Sequence, residues 1–134
     1  MHRTKKKNDV NGGKWVGIGG KIERGESVEQ CLLREMREES GIVPERYEYR
    51  GTVDFVSDEW EEEIMHLFTA TVSERHPLPE CDEGELFWVD ASELRSLPMW
   101  EGDRVFFDLI DAGAPFFRLR LIYEGEKLVK SELL

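Results

Sequence analysis

The alternation of apolar and polar positions divides the chain into short helix-like and strand-like segments. Strand-forming runs and helical spacings mix without a regular β-α-β alternation, which favours a mixed sheet between helices, an α/β/α sandwich of the α+β class. The predominantly acidic segment 57–63 and the turn at 124–126 indicate hairpin connections. The expected strands are residues 14–18, 47–56, 64–72, 85–89, 116–123 and 127–133, and the expected shorter helices are 91–97 and 104–112.

The clearest helix is predicted over residues 28–40. Ser27 is a favourable N-cap, and Gln30 three positions later completes a capping box. Gly41 suits the position just past the helix end, where a left-handed backbone is common. Local capping therefore defines both ends of this helix.

Acidic residues interrupt the apolar face of this helix. At about 100° per residue, Glu35 and Glu39 fall within the stripe of Val28, Leu32 and Met36, and Glu38 lies at its edge. A carboxylate on a buried face is costly unless something pairs with it, and neighbouring carboxylates repel each other. A cation is therefore expected beside these three acids, whereas Arg34 and Arg37 fall outside the stripe.

Oxygen ligands of this kind select hard cations. Mg2+ fits best because it keeps waters and bridges substrate phosphates, and Mn2+ is the expected substitute. Glu35, Glu38 and Glu39 are spaced i, i+3 and i+4 and so converge on one patch of helix surface. The glycine-rich residues 17–21 directly precede the helix and would let the backbone approach metal and phosphates.

Composition limits the classes of protein that need considering. The 134 residues suffice for one domain, residues 1–134, and the net charge of −11 argues against a nucleic-acid polymer or an anionic membrane as partner. A nucleotide remains possible because bound metal inverts the local sign of charge. Lys5, Lys6 and Lys7 are interpreted as a solvated loop, and a monomer or homodimer is expected.

The two cysteines, Cys31 and Cys81, have no spacing that suggests zinc or a disulfide framework. Cys31 is expected to be a buried thiol and Cys81 to lie in a polar loop. With no apolar leader or membrane-length run, a reducing cytoplasm is the simplest location.

The box from Gly20 to Ile42 reads G-x5-E-x7-R-E-U-x-E-E-x-G-U, where U is apolar, and fixes nine positions over 23 residues. This pattern resembles that of the Nudix hydrolases. Residues 13–21, 81–89 and 98–103 also resemble the MutT-like 8-oxo-dGTP diphosphatases within that family. The resemblance covers most of residues 10–134, although only the box is highly specific.

The resemblance implies a Nudix-type fold and hydrolysis of nucleoside triphosphates to monophosphate and pyrophosphate. It implies metal binding by Glu35, Glu38 and Glu39, with Glu83 as an additional ligand or base. The remaining implied roles are contacts of Gly20 and Lys21 with metal or phosphate, orientation of the glutamates by Arg34, stacking of Trp100 on a purine, and hydrogen bonding of Asp103 to its edge.

Two departures from the family pattern bear on these roles. Some relatives have a base-reading Asn where this chain has Val16, so one hydrogen bond to the base is expected to be absent. Family domains also carry one or two strands before the segment matching His2 and Arg3. The chain is therefore expected to be truncated at its N-terminus, or else covered by a partner chain.

The expected reaction is metal-assisted attack of water on a phosphorus of the triphosphate, with Glu39 or Glu83 taking the proton. Three functions stay open. The first is a purine nucleoside triphosphate hydrolase acting on oxidised nucleotides such as 8-oxo-dGTP. The second is a Nudix enzyme for another diphosphate, and the third a non-catalytic Nudix module, which the intact box disfavours.

Overall fold

The computed structural model describes residues 1–4 and 11–134, so the expectation for Lys5, Lys6 and Lys7 lies outside the described residues. Within these described residues, three helices and four strands follow the order expected from the sequence. They are α1 (Val28–Ser40), β1 (Arg46–Ser57), β2 (Glu63–Thr71), α2 (Ala91–Leu94), α3 (Glu101–Asp111), β3 (Phe117–Glu124) and β4 (Lys127–Leu133).

The four strands form one mixed sheet in the order β2-β1-β3-β4. Strand β1 runs parallel to β3 with Val53 opposite Leu119, and β3 runs antiparallel to β4. Residues 58–62 join the neighbouring strands β1 and β2, and the turn at Gly125 joins β3 to β4. The predicted mixed sheet of the α+β class is thereby confirmed.

Two compact units make up the chain. The first is Met1–Arg46 with Thr71–Met99, and the second is Tyr47–Ala70 with Trp100–Leu134. The expectation of a single domain over residues 1–134 stays a prediction. No helix among residues 1–4 and 11–134 is long and apolar enough to cross a membrane.

The core of the second unit is built on β3, whose alternate residues Phe117, Leu119, Leu121 and Tyr123 are buried. Phe106 of α3 packs into this cluster. Such alternation follows from the two-residue period of a strand with one face covered. Strand β3 therefore anchors α3 and the residues at its N-terminal end.

Helix α1 matches its prediction in both bounds. The Ser27 hydroxyl accepts a hydrogen bond from the Gln30 N–H, and the Gln30 side chain accepts one from the Ser27 N–H. Gly41 has φ of 72°, the left-handed conformation that glycine adopts without strain. The capping box and the terminal glycine are therefore both confirmed.

Residues 1–3 form a short extended strip in the first unit. The N–H of His2 donates to the carbonyl of Glu85 at 2.8 Å, and the N–H of Arg3 donates to that of Lys14 at 3.0 Å. The His2 ring stacks on Trp15 with centroids 4.7 Å apart. These contacts connect the strip to the segment before the box and to the loop around residue 84.

Four predicted elements differ from the structure. The strands expected at 14–18 and 85–89 reduce to isolated bridges of His2 with Trp15 and with Glu85. The helix expected at 91–97 ends at Leu94, and the helix expected at 104–112 begins at Glu101. The two short strands were wrong because the partner segment, residues 1–3, is only three residues long. It hydrogen-bonds to Lys14, Val16 and Glu85 but forms a single bridge with each run.

Candidate active site

The box glutamates differ in their exposure. Along α1, Glu35 and Glu39 are half-buried, as their place in the apolar stripe predicts, whereas Glu38 is exposed. Cys31, on the same side of the helix, is buried as expected. Helix α1 thus presents two shielded carboxylates and one that water reaches freely.

Arg34 connects several of these carboxylates. Its Nη1 donates to Glu35 Oε1 at 2.8 Å and to Glu38 Oε2 at 3.2 Å, while Nη2 donates to the Lys21 carbonyl at 3.0 Å. Only 16% of the Arg34 side chain is exposed, although its position outside the apolar stripe favoured solvent. Its burial follows from this set of acceptors, which replaces the water around the guanidinium.

Glu26 is a site residue to which the sequence interpretation assigned no role. Its two carboxylate oxygens accept from Arg34 Nε at 2.7 Å and Nη2 at 3.1 Å. Hydrogen bonding to Arg34 lowers the pKa of Glu26 to about 2. The sequence did contain a signal for this pair, because Glu26 and Arg34 are both fixed positions of the box, eight residues apart.

Glu39 lies where negative charges accumulate. The N–H of Gly19 donates to Glu39 Oε2 at 3.3 Å. Burial, reinforced by the charges of Glu35 and Glu83, raises the pKa of Glu39 to about 7. A carboxyl group with this pKa exchanges protons near neutral pH, as a general base must.

Glu83 comes from the loop after β2 and is held by Arg3. Arg3 Nη1 forms a 2.5 Å ion pair with Glu83 Oε2. The backbone of the loop lies so close to residues 2 and 3 that a side chain at Gly84 would overlap the His2 carbonyl. Glu83 is close enough to Glu39 for its charge to act on that carboxyl, and Arg3 is a second residue that sequence interpretation missed.

The segment before the box contributes backbone contacts. A Cβ at Gly20 would overlap the Glu35 carboxylate, and the Gly20 carbonyl accepts a weak 3.8 Å hydrogen bond from Cys31 Sγ. The Lys21 side chain is exposed. Val16 is half-buried, and its N–H donates to the Met1 carbonyl at 2.8 Å. The backbone at residue 20 can therefore lie this close to the Glu35 carboxylate only because Gly20 has no side chain.

The donors at this site have the chemistry that a hard cation requires. They are carboxylate and carbonyl oxygens. Burial raises the pKa of Glu39 most and the charges of Glu35 and Glu83 add to it, and a divalent ion would relieve that repulsion. Within residues 1–4 and 11–134, however, no group of three His, Cys, Asp or Glu side chains is arranged to hold a metal ion. Arg34 engages Glu35 and Glu38, and Arg3 engages Glu83.

Trp100 and Asp103 belong to the second unit, at the start of α3. The Trp100 ring packs edge-on against Tyr123 with centroids 5.3 Å apart. The Tyr123 hydroxyl accepts a 2.9 Å hydrogen bond from the Gly102 N–H. Burial raises the pKa of Asp103 to about 7, so its carboxyl can donate a hydrogen bond at neutral pH. The two residues predicted to contact a base therefore share one helix terminus.

Comparisons with known proteins agree with the box. The NUDIX domain model matches residues 1–110. An uncharacterized Nudix hydrolase of Bacillus subtilis, YvcI, is 35% identical over 118 residues, which cover 85% of this chain and 75% of the relative. An oxidized purine nucleoside triphosphate hydrolase of Danio rerio is 36% identical over 106 residues, or 78% of this chain and 67% of the relative.

Among solved structures, a mutator MutT protein from Bacillus halodurans superposes with a TM-score of 0.81 at 31% sequence identity. The match covers 90% of this chain and 82% of that protein. At this identity and coverage, the similarity extends well beyond the box to both sequence and fold.

Proposed function

The chain belongs to the Nudix hydrolase family, and from this premise we propose that it is a Mg2+-dependent nucleoside triphosphate pyrophosphohydrolase. We propose oxidised purine nucleotides such as 8-oxo-dGTP as its substrates. The single observation that carries the proposal is the half-buried carboxylate constellation of Glu35, Glu39 and Glu83, in which burial and mutual repulsion raise the pKa of Glu39 to about 7. The Danio rerio relative, named for oxidised purine nucleotides, supports the substrate class.

In this proposal Glu35, Glu38, Glu39, Glu83 and the Gly20 carbonyl are the metal ligands. Mg2+, or Mn2+ in its place, would polarise phosphoryl oxygens and lower the pKa of water. Among them, Glu35, Glu38 and Glu83 can take that role only after Arg34 and Arg3 release part of their hold on these carboxylates.

The protein groups then act by proton transfer and positioning. Glu39, which lies beside the charges of Glu35 and Glu83 and accepts from the Gly19 N–H, is one candidate for the general base, and Glu83 is the other. Arg34 orients Glu35 and Glu38, and the exposed Lys21 contacts the phosphates. Trp100 stacks on the purine and a protonated Asp103 donates to its edge, while Val16 offers the base no polar side chain.

Location and assembly belong to the same proposal. Two free, buried cysteines fit a reducing cytoplasm. We propose a monomer or homodimer that acts on a nucleotide and on neither a nucleic-acid polymer nor a membrane, in keeping with the net charge of −11.

A substrate panel tests the function. The chain is incubated with 8-oxo-dGTP, dGTP, ATP, CTP, ADP-ribose and a dinucleoside polyphosphate, with Mg2+ or with EDTA, and the products are separated by chromatography. We expect Mg2+-dependent formation of monophosphate and pyrophosphate, with the highest kcat/KM on the oxidised purine. Turnover confined to ADP-ribose or the dinucleoside polyphosphate would instead establish the second function, a Nudix hydrolase of another diphosphate.

A further inference from the structure

Trp60, in the connection between β1 and β2, packs against the predicted base-binding residue. Its ring lies edge-on to Trp100, with centroids 5.9 Å apart and planes at 84°. Trp100 in turn packs edge-on against Tyr123. Three aromatic rings of the second unit are therefore contiguous, and Trp60 is the outermost, with 39% of its surface exposed.

The position of Trp60 is supported by its own connection. The Gly125 N–H in the β3–β4 turn donates to Asp58 Oδ1 at 3.0 Å, and the Glu59 N–H donates to Ser57 Oγ at 3.0 Å. The two hydrogen bonds restrain the two residues that precede Trp60, namely Asp58 and Glu59. A restrained ring loses less conformational entropy on binding than a ring on a free loop, so it suits ligand contact.

The charges around Trp60 select the part of a nucleotide that it can contact. Along the chain, Trp60 is flanked by acids, namely Asp58, Glu59, Glu61 and Glu62 in the connection and Glu63 at the start of β2. These side chains repel phosphates but accept hydrogen bonds from the N–H groups of a base. A flat, uncharged heterocycle rich in N–H donors matches both the aromatic surface and the acidic surroundings.

We infer that Trp60 is a base-contacting residue that favours purines by providing aromatic surface beside Trp100. This inference rests on the proposed function, since it assigns the base of the same nucleotide. The purine has the larger ring system and buries more area against Trp60 than a pyrimidine does. Trp60 thereby contributes to the selection of the base.

Calorimetric titration of the full chain with dGMP, dCMP and ribose 5-phosphate tests the role of Trp60. Trp60→Leu should raise the Kd for dGMP about tenfold, the range expected for loss of one stacking contact. The change should be smaller for dCMP and absent for ribose 5-phosphate, and Trp60→Phe should restore most of the dGMP affinity. Trp88→Leu is the matched control, because Trp88 is also 39% exposed but belongs to the first unit.

An unchanged dGMP affinity in folded Trp60→Leu would overturn the inference, as would an equal loss for ribose 5-phosphate or a parent chain that binds no dGMP. Failure of the proposed hydrolysis has a different signature. In that case the parent binds dGMP and Trp60→Leu weakens it, yet no pyrophosphate is released from any triphosphate.

Discussion

At the scale of single residues, Arg34 has the largest part in arranging the box, because its guanidinium donates to oxygens of Glu26, Glu35, Glu38 and Lys21. Glu26 is the partner that fixes its plane through two hydrogen bonds. A bidentate pair of this kind restricts both position and rotation of the guanidinium. Glu26 is therefore a positioning residue for the carboxylates.

Replacing Glu26 by Gln should reduce kcat without unfolding the chain. The amide keeps the shape of the carboxylate but loses its charge, so Arg34 is free to shift toward Glu35 and Glu38. Loss of an outer partner of metal ligands typically lowers activity or metal affinity roughly 10–100-fold. Steady-state kinetics and a Mn2+ binding titration measure both quantities.

Glu29→Gln is the control for that substitution, since Glu29 is an exposed acid in the first turn of the same helix. It changes net charge equally without touching Arg34. Equal kinetics and Mn2+ affinity for Glu26→Gln and the parent would show that Glu26 has no positioning role.

At the scale of elements, local signals predicted α1 and the four strands of the sheet well. The helix ends follow from Ser27 and Gly41, whose effects act over a few residues. The bridges at Trp15 and Glu85 depend on residues distant in sequence, so a local strand pattern overstated them. The burial of Arg34 likewise depends on Glu26 and Lys21, which no helical periodicity reveals.

Ser27→Ala should destabilise the chain by about 1 kcal/mol, because α1 loses the acceptor of its capping box. Chemical denaturation with a linear extrapolation measures the free energy of unfolding. Ser92→Ala, at an exposed position in α2, serves as the control with little expected effect. Identical midpoints for Ser27→Ala and the parent would mean that the cap contributes nothing to stability.

Helix α3 also depends on a close contact at its start. A Cβ at Gly102 would lie 2.5 Å from Leu121 Cδ1 and from the Tyr123 hydroxyl. Gly102→Ala should therefore destabilise the second unit by roughly 1–3 kcal/mol, the usual cost of overpacking. Gly17→Ala is the control, because a Cβ at Gly17 would meet nothing within 4 Å. Equal unfolding midpoints for the two variants would exclude a tight contact at Gly102.

At the scale of the whole molecule, the buried carboxyl group of Asp103 makes the stability of the folded chain depend on pH. Burial raises the pKa of Asp103 from 3.8 to about 7, so the folded chain holds a proton that the unfolded chain has released. The contribution of protonated Asp103 to the free energy of unfolding is complete below pH 3.8. It is lost as the pH rises from 3.8 to about 7. The sign follows because the folded state binds more protons in this window.

Asp103→Asn should remove that part of the pH dependence. The free energy of unfolding of the parent should fall by up to about 4 kcal/mol more than that of the variant between the two pH values. Denaturation curves at a series of pH values, at constant ionic strength, give the difference. Parallel profiles for parent and variant would mean that Asp103 titrates normally in the folded chain.

The central claim is that the glutamates of α1 form a metal-dependent hydrolytic site, and Glu39→Gln tests it most directly. Pyrophosphate release from 8-oxo-dGTP is measured for parent and variant across a Mg2+ titration, with far-UV circular dichroism to confirm the fold. Loss of a ligand and base should cost several kcal/mol of transition-state stabilisation, a decrease of at least roughly a hundredfold in kcat/KM. A folded Glu39→Gln variant with the activity and Mg2+ dependence of the parent would contradict the account.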